Sequence, residues 1–239
     1  MNTAELTIVI PAKNEARLIP RLLDSLANQD YSPMPLAKVY VADAGSTDGT
    51  PDIVMSFAGR LNVFVIPGGL PSVGRNAGAR RAETPYVLFI DADIELADRT
   101  LVRRSVELMK RKQLHCVTTN ISCPSGRVTD RALYFGNNLC QHASRLLKPF
   151  STGMFMLFDT KQFHALGGFH EHALYAEDYL LSQKVARSKF GIVPGNVVTT
   201  NRRFQKMGHL KLVRIFLGTA LHTFDEKYFL QDKQYWSNT

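Results

Sequence analysis

Two acidic pairs stand out in this 239-residue chain. Asp91 and Asp93 flank Ala92 in FIDADIEL (89–96), at the end of an apolar run, and Glu177 adjoins Asp178 in YAEDYLL. Carboxylates this close repel, and stripping them of water is costly unless a positive group compensates. The first pair therefore either turns a loop in solvent or holds a cation. Where the strand breaks into a loop both carboxylates can turn toward one point. Magnesium or manganese prefers such oxygens and keeps positions open for substrate phosphates. Glu95 could add a ligand directly or through water. The second pair opens a helical pattern, where the plain reading is acids favoured by the helix dipole. The sharper reading is a general base, because a neighbouring carboxylate raises the pKa of Asp178 and improves proton abstraction.

Three further segments carry polar signals. In VADAGSTDGT (41–50), Ser46, Thr47 or Asp48 could cap the next helix, whereas Asp43 sits at a strand tip, where a carboxylate can accept the N–H of a pyrimidine base. PGGLPSVGRNAGARRA (67–82) lacks both the GK[ST] ending of a phosphate loop and the GxGxxG of a dinucleotide site. Its Arg75 is either a diphosphate or base contact near a helix N-terminus, or a surface arginine on a helix packed through Gly74 and Gly78. His164, His170 and His172 have no metal-protease spacing and read as loop or surface residues, with His209 and His222 as late metal or diphosphate candidates.

Positioning such residues needs a scaffold, and the apolar periodicity supplies one. LTIVIP (6–11), KVYVAD (38–43), LNVFVI (61–66) and YVLFID (86–91) read as strands. Helices fall between them: one carrying Leu18, Leu22 and Leu26, one from Asp48, one over 72–82, and one over 98–111 with Val102, Val106 and Met109 inward. Continuous apolar strands alternating with helices predict an α/β fold whose parallel sheet is covered on both faces. Ligands then bind beyond the carboxyl ends of the strands, where Ala12 to Glu15, Asp43, Asp91 and Asp93 all fall. After residue 115 the rhythm is irregular, with HCVTTNISC, TGMFMLF and GIVPGNVV as strands and 176–189 as a helix. No linker, repeat or low-complexity stretch divides the chain, so one domain over 1–239 is expected.

The segment 209–229 places Leu210, Val213, Leu217, Leu221, Phe224 and Tyr228 on one helical stripe, with Lys211 and Arg214 near its start. Core packing is the preferred reading and membrane-surface docking the alternative. The chain is 45% hydrophobic and carries a formal charge of +8, its basic residues scattered in short groups. That pattern suits an anionic small substrate or an acidic membrane surface better than nucleic acid. Cys116, Cys123 and Cys140 lack zinc or redox spacing, no stretch is apolar enough to span a bilayer, and the N-terminus lacks a signal-peptide pattern. A cytoplasmic protein, soluble or resting on a membrane, is the expectation.

Taken in order, TIVIPAKNE, VADAGSTDGT, GRNAGARRA, FIDADIEL, STGMFMLFDTKQFHALGGFHE and YAEDYLLSQKVA resemble the family 2 glycosyltransferases of the GT-A fold, over residues 6–190. The resemblance implies a Rossmann-like three-layer α/β/α fold with a mainly parallel sheet. It also implies a nucleotide-diphospho-sugar donor (UDP-linked in the favoured case), a Mn or Mg ion, and inverting transfer to a glycan or lipid-linked acceptor in cell-surface glycan or glycolipid synthesis. Residues 1–114 would bind the nucleotide sugar, 115–205 would hold acceptor and base, and 206–239 would form the amphipathic tail. By position, Pro11, Ala12, Asn14 and Glu15 would line the nucleotide site, Asp43 would bind the base, and Arg75 the base or diphosphate. Asp91, Ala92 and Asp93 would meet ribose and metal-diphosphate, with Arg202 and Arg203 closing over the diphosphate. Asp178 would be the base, Glu177 would position the acceptor, and Ser151, Thr152, Gly153 and Met154 would line its side. A haloacid-dehalogenase-type phosphatase also ends a strand in DxD, but at its first strand, and a catalytically silent sugar-nucleotide-binding module is the remaining alternative.

Overall fold

Strands without polar interruptions must be covered on both faces, and the first half of the chain obeys this rule. In the computed structural model, which describes residues 4–222 and 225–231, β1 (Leu6–Ala12), β2 (Lys38–Asp43) and β4 (Tyr86–Ile90) are buried nearly end to end. β3 (Asn62–Pro67) lies at the sheet edge and leaves Phe64 exposed. Helices α1 (Ile19–Ala27), α2 (Thr50–Ser56), α3 (Pro71–Ala79) and α4 (Leu101–Lys112) alternate with these strands. The second half contributes β5 (Cys116–Ser122), α5 (Val128–Ser144), β6 (Phe155–Asp159), α6 (Thr160–Ala165), α7 (Glu177–Ser182) and β7 (Phe190–Val198). It ends in α8 (Arg202–Met207), α9 (His209–Leu221) and α10 (Glu226–Phe229).

The seven strands form one sheet in the order β3-β2-β1-β4-β6-β5-β7. Strands β1 to β4 pair in parallel, as do β5 and β7, while β6 runs antiparallel to both β4 and β5. The sheet is thus mainly parallel, and strands from both halves of the chain share it. The carboxyl ends of β1, β2 and β4 open on one edge, as the apolar rhythm predicts.

Beyond β4 the burial alternates. Ala92, Ile94 and Leu96 enter the core while Asp91, Asp93 and Glu95 stay on the opposite side. The loop after β4 therefore keeps the period-two pattern of a strand, and that alternation puts both aspartates on one side. The loop break alone is not what aligns them.

Three elements differ from expectation. Helix α5 gave no apolar signal because little of it is buried: Asn138 exchanges hydrogen bonds with the Ile121 backbone (3.0 and 2.8 Å) and Gln141 donates to the Thr119 carbonyl (3.0 Å). Polar side chains, not a greasy stripe, dock it on β5. Helix α7 stops at Ser182 rather than running to 189, because the N–H groups of Lys184 and Val185 turn to carbonyls three residues back; a 3-10 turn follows at Arg187–Lys189. The 209–229 stripe packs inward only in part, Tyr228 joining the buried Tyr175–Phe229 cluster. Helix α9 ends at Leu221, buries Leu212, Gly218 and Thr219, and leaves Leu210, Leu217 and Leu221 exposed. Phe224 lies outside the described residues.

Helix α3 lies flat on the sheet because two glycines let it. A Cβ on Gly78 would stand 2.7 Å from Val9 Cγ2 and closer still to Cγ1, and one on Gly74 would stand 3.0 Å from Ala42 Cβ. We expect Gly78→Ala to destabilise the fold by about 1–3 kcal/mol in urea unfolding, and Val9→Ala in the same chain to restore part of that loss by making room.

Candidate active site

Arg75 is buried, 2% exposed, at the heart of the open edge. Its position on α3 aims the guanidinium between the tip of β4 and the start of α7. Nη2 donates to Asp91 Oδ1 at 2.6 Å and Nη1 to Glu177 Oε1 at 2.5 Å. The ring of Phe169 lies 5.3 Å from its Cζ, a cation–π distance. A side chain on Gly153 would collide with the guanidinium, so glycine there keeps the place open. Burial works against the charge of Arg75, yet Asp91, Glu177 and Asp178 outweigh it and hold the proton more firmly than in a free arginine. The surface-arginine reading is therefore overturned: this residue joins both acidic pairs.

Asp178 occupies the next position on α7. Its carboxylate accepts the Gly153 N–H at 2.5 Å and the Tyr179 N–H at 2.7 Å. Burial and the adjacent Glu177 push its pKa up to about 7, against the pull of Arg75 and of those two N–H groups. A carboxyl group poised near neutrality can both take and hold a proton. Glu177, in contrast, is buried against Arg75, which fits a residue that holds the arginine rather than one that reaches toward an acceptor.

The second arginine on this edge comes from the other end of the chain. Arg202, at the start of α8, grips Glu15 with both terminal nitrogens (2.9 and 2.5 Å) and reaches Asp93 Oδ2 at 3.1 Å. Burial and then Asp91 raise the Asp93 pKa, while Arg203 and Arg202 lower it. Burial also raises that of Glu15, against its hydrogen bond from Arg202. Five carboxylates and three arginines thus share one edge. Each aspartate of the first pair gives one oxygen to an arginine.

Two loops brace the floor. Asn14, in the left-handed conformation at φ 52°, accepts the Thr47 N–H with Oδ1 and donates its own N–H to Ser46 Oγ. Ser46 in turn donates to Asp43 at 2.5 Å, and Asp43 also accepts the N–H groups of Gly45 and Ser46. Asp48 accepts from Ala16 N–H and from Thr50. The segment 43–50 is thus a clasp on the β1–α1 loop; Gly49 occupies the N-cap of α2, with no side-chain cap bond. Pro11 and Ala12 end β1 beneath that clasp.

Several predicted residues are placed elsewhere. Glu95 pairs with Arg21 and bridges Val198 through its backbone, so it does not complete a trio with Asp91 and Asp93. Among the described residues no three His, Cys, Asp or Glu side chains gather as a metal site. Ser151 is buried, hydrogen-bonded to Thr118 and Ser182, and Met154 packs on the core; Thr152 is half-buried between them and Gly153. His209 bonds Asp130 (2.5 Å) and stacks on Phe204, while His222 stacks on Tyr228 and bonds the Gly218 carbonyl. Apart from the GGF turn, no motif in the sequence marks Phe169 or Asn76, which holds the Phe169 backbone at both its N–H and its carbonyl.

The model of Glycosyl transferase family 2 matches residues 7–167. The chain belongs to that family. It is 36% identical over 99 residues to the Staphylococcus aureus poly(ribitol-phosphate) beta-N-acetylglucosaminyltransferase TarS, covering 40% of this chain and 17% of that protein. Residues 1–349 of TarS solved with UDP superpose with a TM-score of 0.62 at 21% identity, over 80% of this chain and 60% of that one. The Pyrobaculum calidifontis mannosyltransferase PcManGT, solved with GDP-Man and Mn2+, gives 0.68 at 22%, over 91% and 65%. The fold is thus that of the GT-A glycosyltransferases, and this chain spans about a fifth of the length of the curated relatives it matches. With the aspartate pair following β4 rather than β1, the phosphatase reading has no support.

Removing the central cation tests the arrangement. Arg75→Met strands the buried Glu177 and the half-buried Asp91, so a loss of about 3–5 kcal/mol in urea unfolding is expected. Adding Glu177→Gln should recover part of it, a coupling that a double-mutant cycle reads directly.

Proposed function

We propose that this chain transfers a sugar, with inversion, from a nucleoside-diphospho-sugar to an acceptor hydroxyl, with Asp178 as the base. The observation that carries this reading is the joining of the two acidic pairs by one buried guanidinium, which sets a carboxyl of pKa about 7 beside the Asp91–Asp93 pair. Family membership supports it, as do a TarS structure that binds UDP and a mannosyltransferase that binds GDP-Man with Mn2+. A UDP-linked donor and a glycan or lipid-linked acceptor are the favoured substrates.

The donor set fits a divalent ion. Asp91 and Asp93 are half-buried on one side of the chain, their mutual repulsion is only partly relieved by arginines, and oxygen ligands of this kind suit Mg or Mn. Asp91 and Asp93 would hold such an ion, leaving its other positions to substrate phosphates and water. A bound ion would supply Lewis-acid stabilisation of the charge that develops on the diphosphate.

The remaining roles belong to side chains. Asp43 and the Asn14–Ser46 clasp shape the base and ribose end, while Glu15 holds Arg202 ready beside Asp93. Arg202 and Arg203 add positive charge where the diphosphate leaves. Asp178 takes the acceptor proton as the acceptor oxygen bonds to C1. The C1–O bond to diphosphate breaks on the opposite face, its electron pair passing to the phosphate oxygen, and the configuration inverts. Glu177 acts through its neighbours, raising the pKa of Asp178 and pinning Arg75, rather than on the acceptor as its position in the motif suggests.

Three outcomes are expected. Asp178→Asn should retain donor binding by calorimetry but lose about 10²–10⁴ in transfer rate. In the unaltered protein kcat/KM should rise with pH through about 7, because the base must be deprotonated to act; a flat profile or an active Asp178→Asn protein would remove Asp178 from the role. Calorimetry should also find nucleoside diphosphate binding dependent on Mn or Mg and abolished in Asp93→Asn, whereas equal binding in chelator would exclude the ion.

A further inference from the structure

The net charge of the chain is unevenly placed. Residues 127–148 and 202–221 contain nine Lys and Arg and one acid, Asp130, which accounts for the whole +8 excess and leaves the rest of the chain balanced. Asp130 is buried and spent internally, accepting from the Arg127 N–H, Asn201 and His209. The exposed surface of α5 and α9 and of the turn after α5 is therefore cationic or neutral throughout.

That surface is also apolar. Val128, Phe135, Leu139, Leu146 and Leu147 are 62–82% exposed, whereas exposed large apolar side chains elsewhere, such as Leu36, Met55 and Phe64, stand apart at 40–49%. Residues 128, 135 and 139 recur at seven and then four, which is one helical face, and Leu210, Leu217 and Leu221 repeat that spacing on α9. The bonds of His209 to Asp130 and to Thr129 set the start of α9 beside the start of α5. Asn138 and Gln141 fasten the opposite side of α5 to β5, so the apolar face cannot roll inward.

We propose that the apolar, cationic side of α5 and the turn after it, with α9 beginning beside it, docks on an anionic lipid bilayer. Exposed leucine and phenylalanine rimmed by Arg127, Arg131, Arg145, Lys148, Lys211 and Arg214 match the interfacial position, with apolar side chains among acyl chains and cations among headgroups. A polyanionic glycan or nucleic acid would use the cations but not the leucines. A second copy would set this cationic rim against itself, which repels. The proposal does not rest on glycosyl transfer, but its geometry serves that reaction. The turn at Lys148 runs through Pro149, held by Gln183, into Gly153 on Asp178, so docking holds the base near the membrane.

Co-sedimentation of the full chain with vesicles tests this. We expect the protein to pellet with mixed phosphatidylcholine–phosphatidylglycerol vesicles at low salt and to stay in solution with phosphatidylcholine alone. Phe135→Asp/Leu139→Asp and, separately, Arg131→Glu/Lys148→Glu should each weaken partition about tenfold or more. A Met55→Asp/Phe64→Asp control should partition unchanged. Melting temperatures of all variants verify the fold, and the charge-reversal pair carries the test if the aspartate pair does not fold. Equal partition to neutral vesicles, or partition indifferent to both variants, overturns the proposal. So does a dimer by light scattering that Phe135→Asp/Leu139→Asp disperses, and so does polyanion binding without vesicle binding.

Discussion

The structure turns on one buried cation. Arg75 sits on α3, sixteen residues before Asp91 and 102 before Glu177, and its guanidinium is the link between those two carboxylates. A buried charge of either sign is costly alone, and the geometry here is tolerable because each partner neutralises another. The constraint spreads outward. Gly153 must lack a side chain, Phe169 must offer its ring, and Asn76 must hold the Phe169 backbone so that the ring stays in place. What looks like three separate motifs in the chain is therefore one electrostatic unit.

That unit has an asymmetry with chemical consequences. Glu177 meets Arg75 directly, whereas among the described residues Asp178 receives two N–H groups and the more distant field of the same arginine. Neighbouring carboxylates in unequal surroundings are how a protein separates a structural acid from a reactive one. The first pair shows a similar division, since Asp91 leans on the buried Arg75 and Asp93 on Arg202, which is a third exposed and shared with Glu15. In the second pair the firmly held Glu177 is also the more buried, whereas Asp91 and Asp93 are exposed to the same degree and differ only in the arginine each meets.

The loops after β1 and β2 are stiffened rather than left as mobile polar caps. Asn14, Ser46 and Asp43 form a continuous chain of hydrogen bonds, joined by the Asp48 bonds to Ala16 and Thr50. Side chains tied this way have little conformational freedom left to lose, so any ligand that met them would incur a smaller ordering cost. The same economy appears on the outer side of the molecule, where polar bonds from Asn138 and Gln141 fix α5 and free its other face for contact.

Much of the scaffold was legible in the chain alone. The first four strands and their helices were readable because apolar period and strand length are local properties, and the order of the motifs identified the family for the same reason. Residues 91, 93 and 178 could be singled out by type and spacing. The pairing of Arg75 with Asp91 and Glu177, the diversion of Glu95 to Arg21, the burial of Ser151 and the outward face of α9 could not be read. Each depends on groups distant in sequence meeting across the sheet, and nothing in a local pattern records which side of a helix will find a partner. Helix α5 escaped notice for a related reason: its docking uses two polar side chains in place of a buried apolar stripe, a contact that exists only once β5 lies beneath it. Sequence alone determined which residues could do chemistry; the tertiary structure decided which of them hold a proton, which hold an arginine, and which only hold the fold.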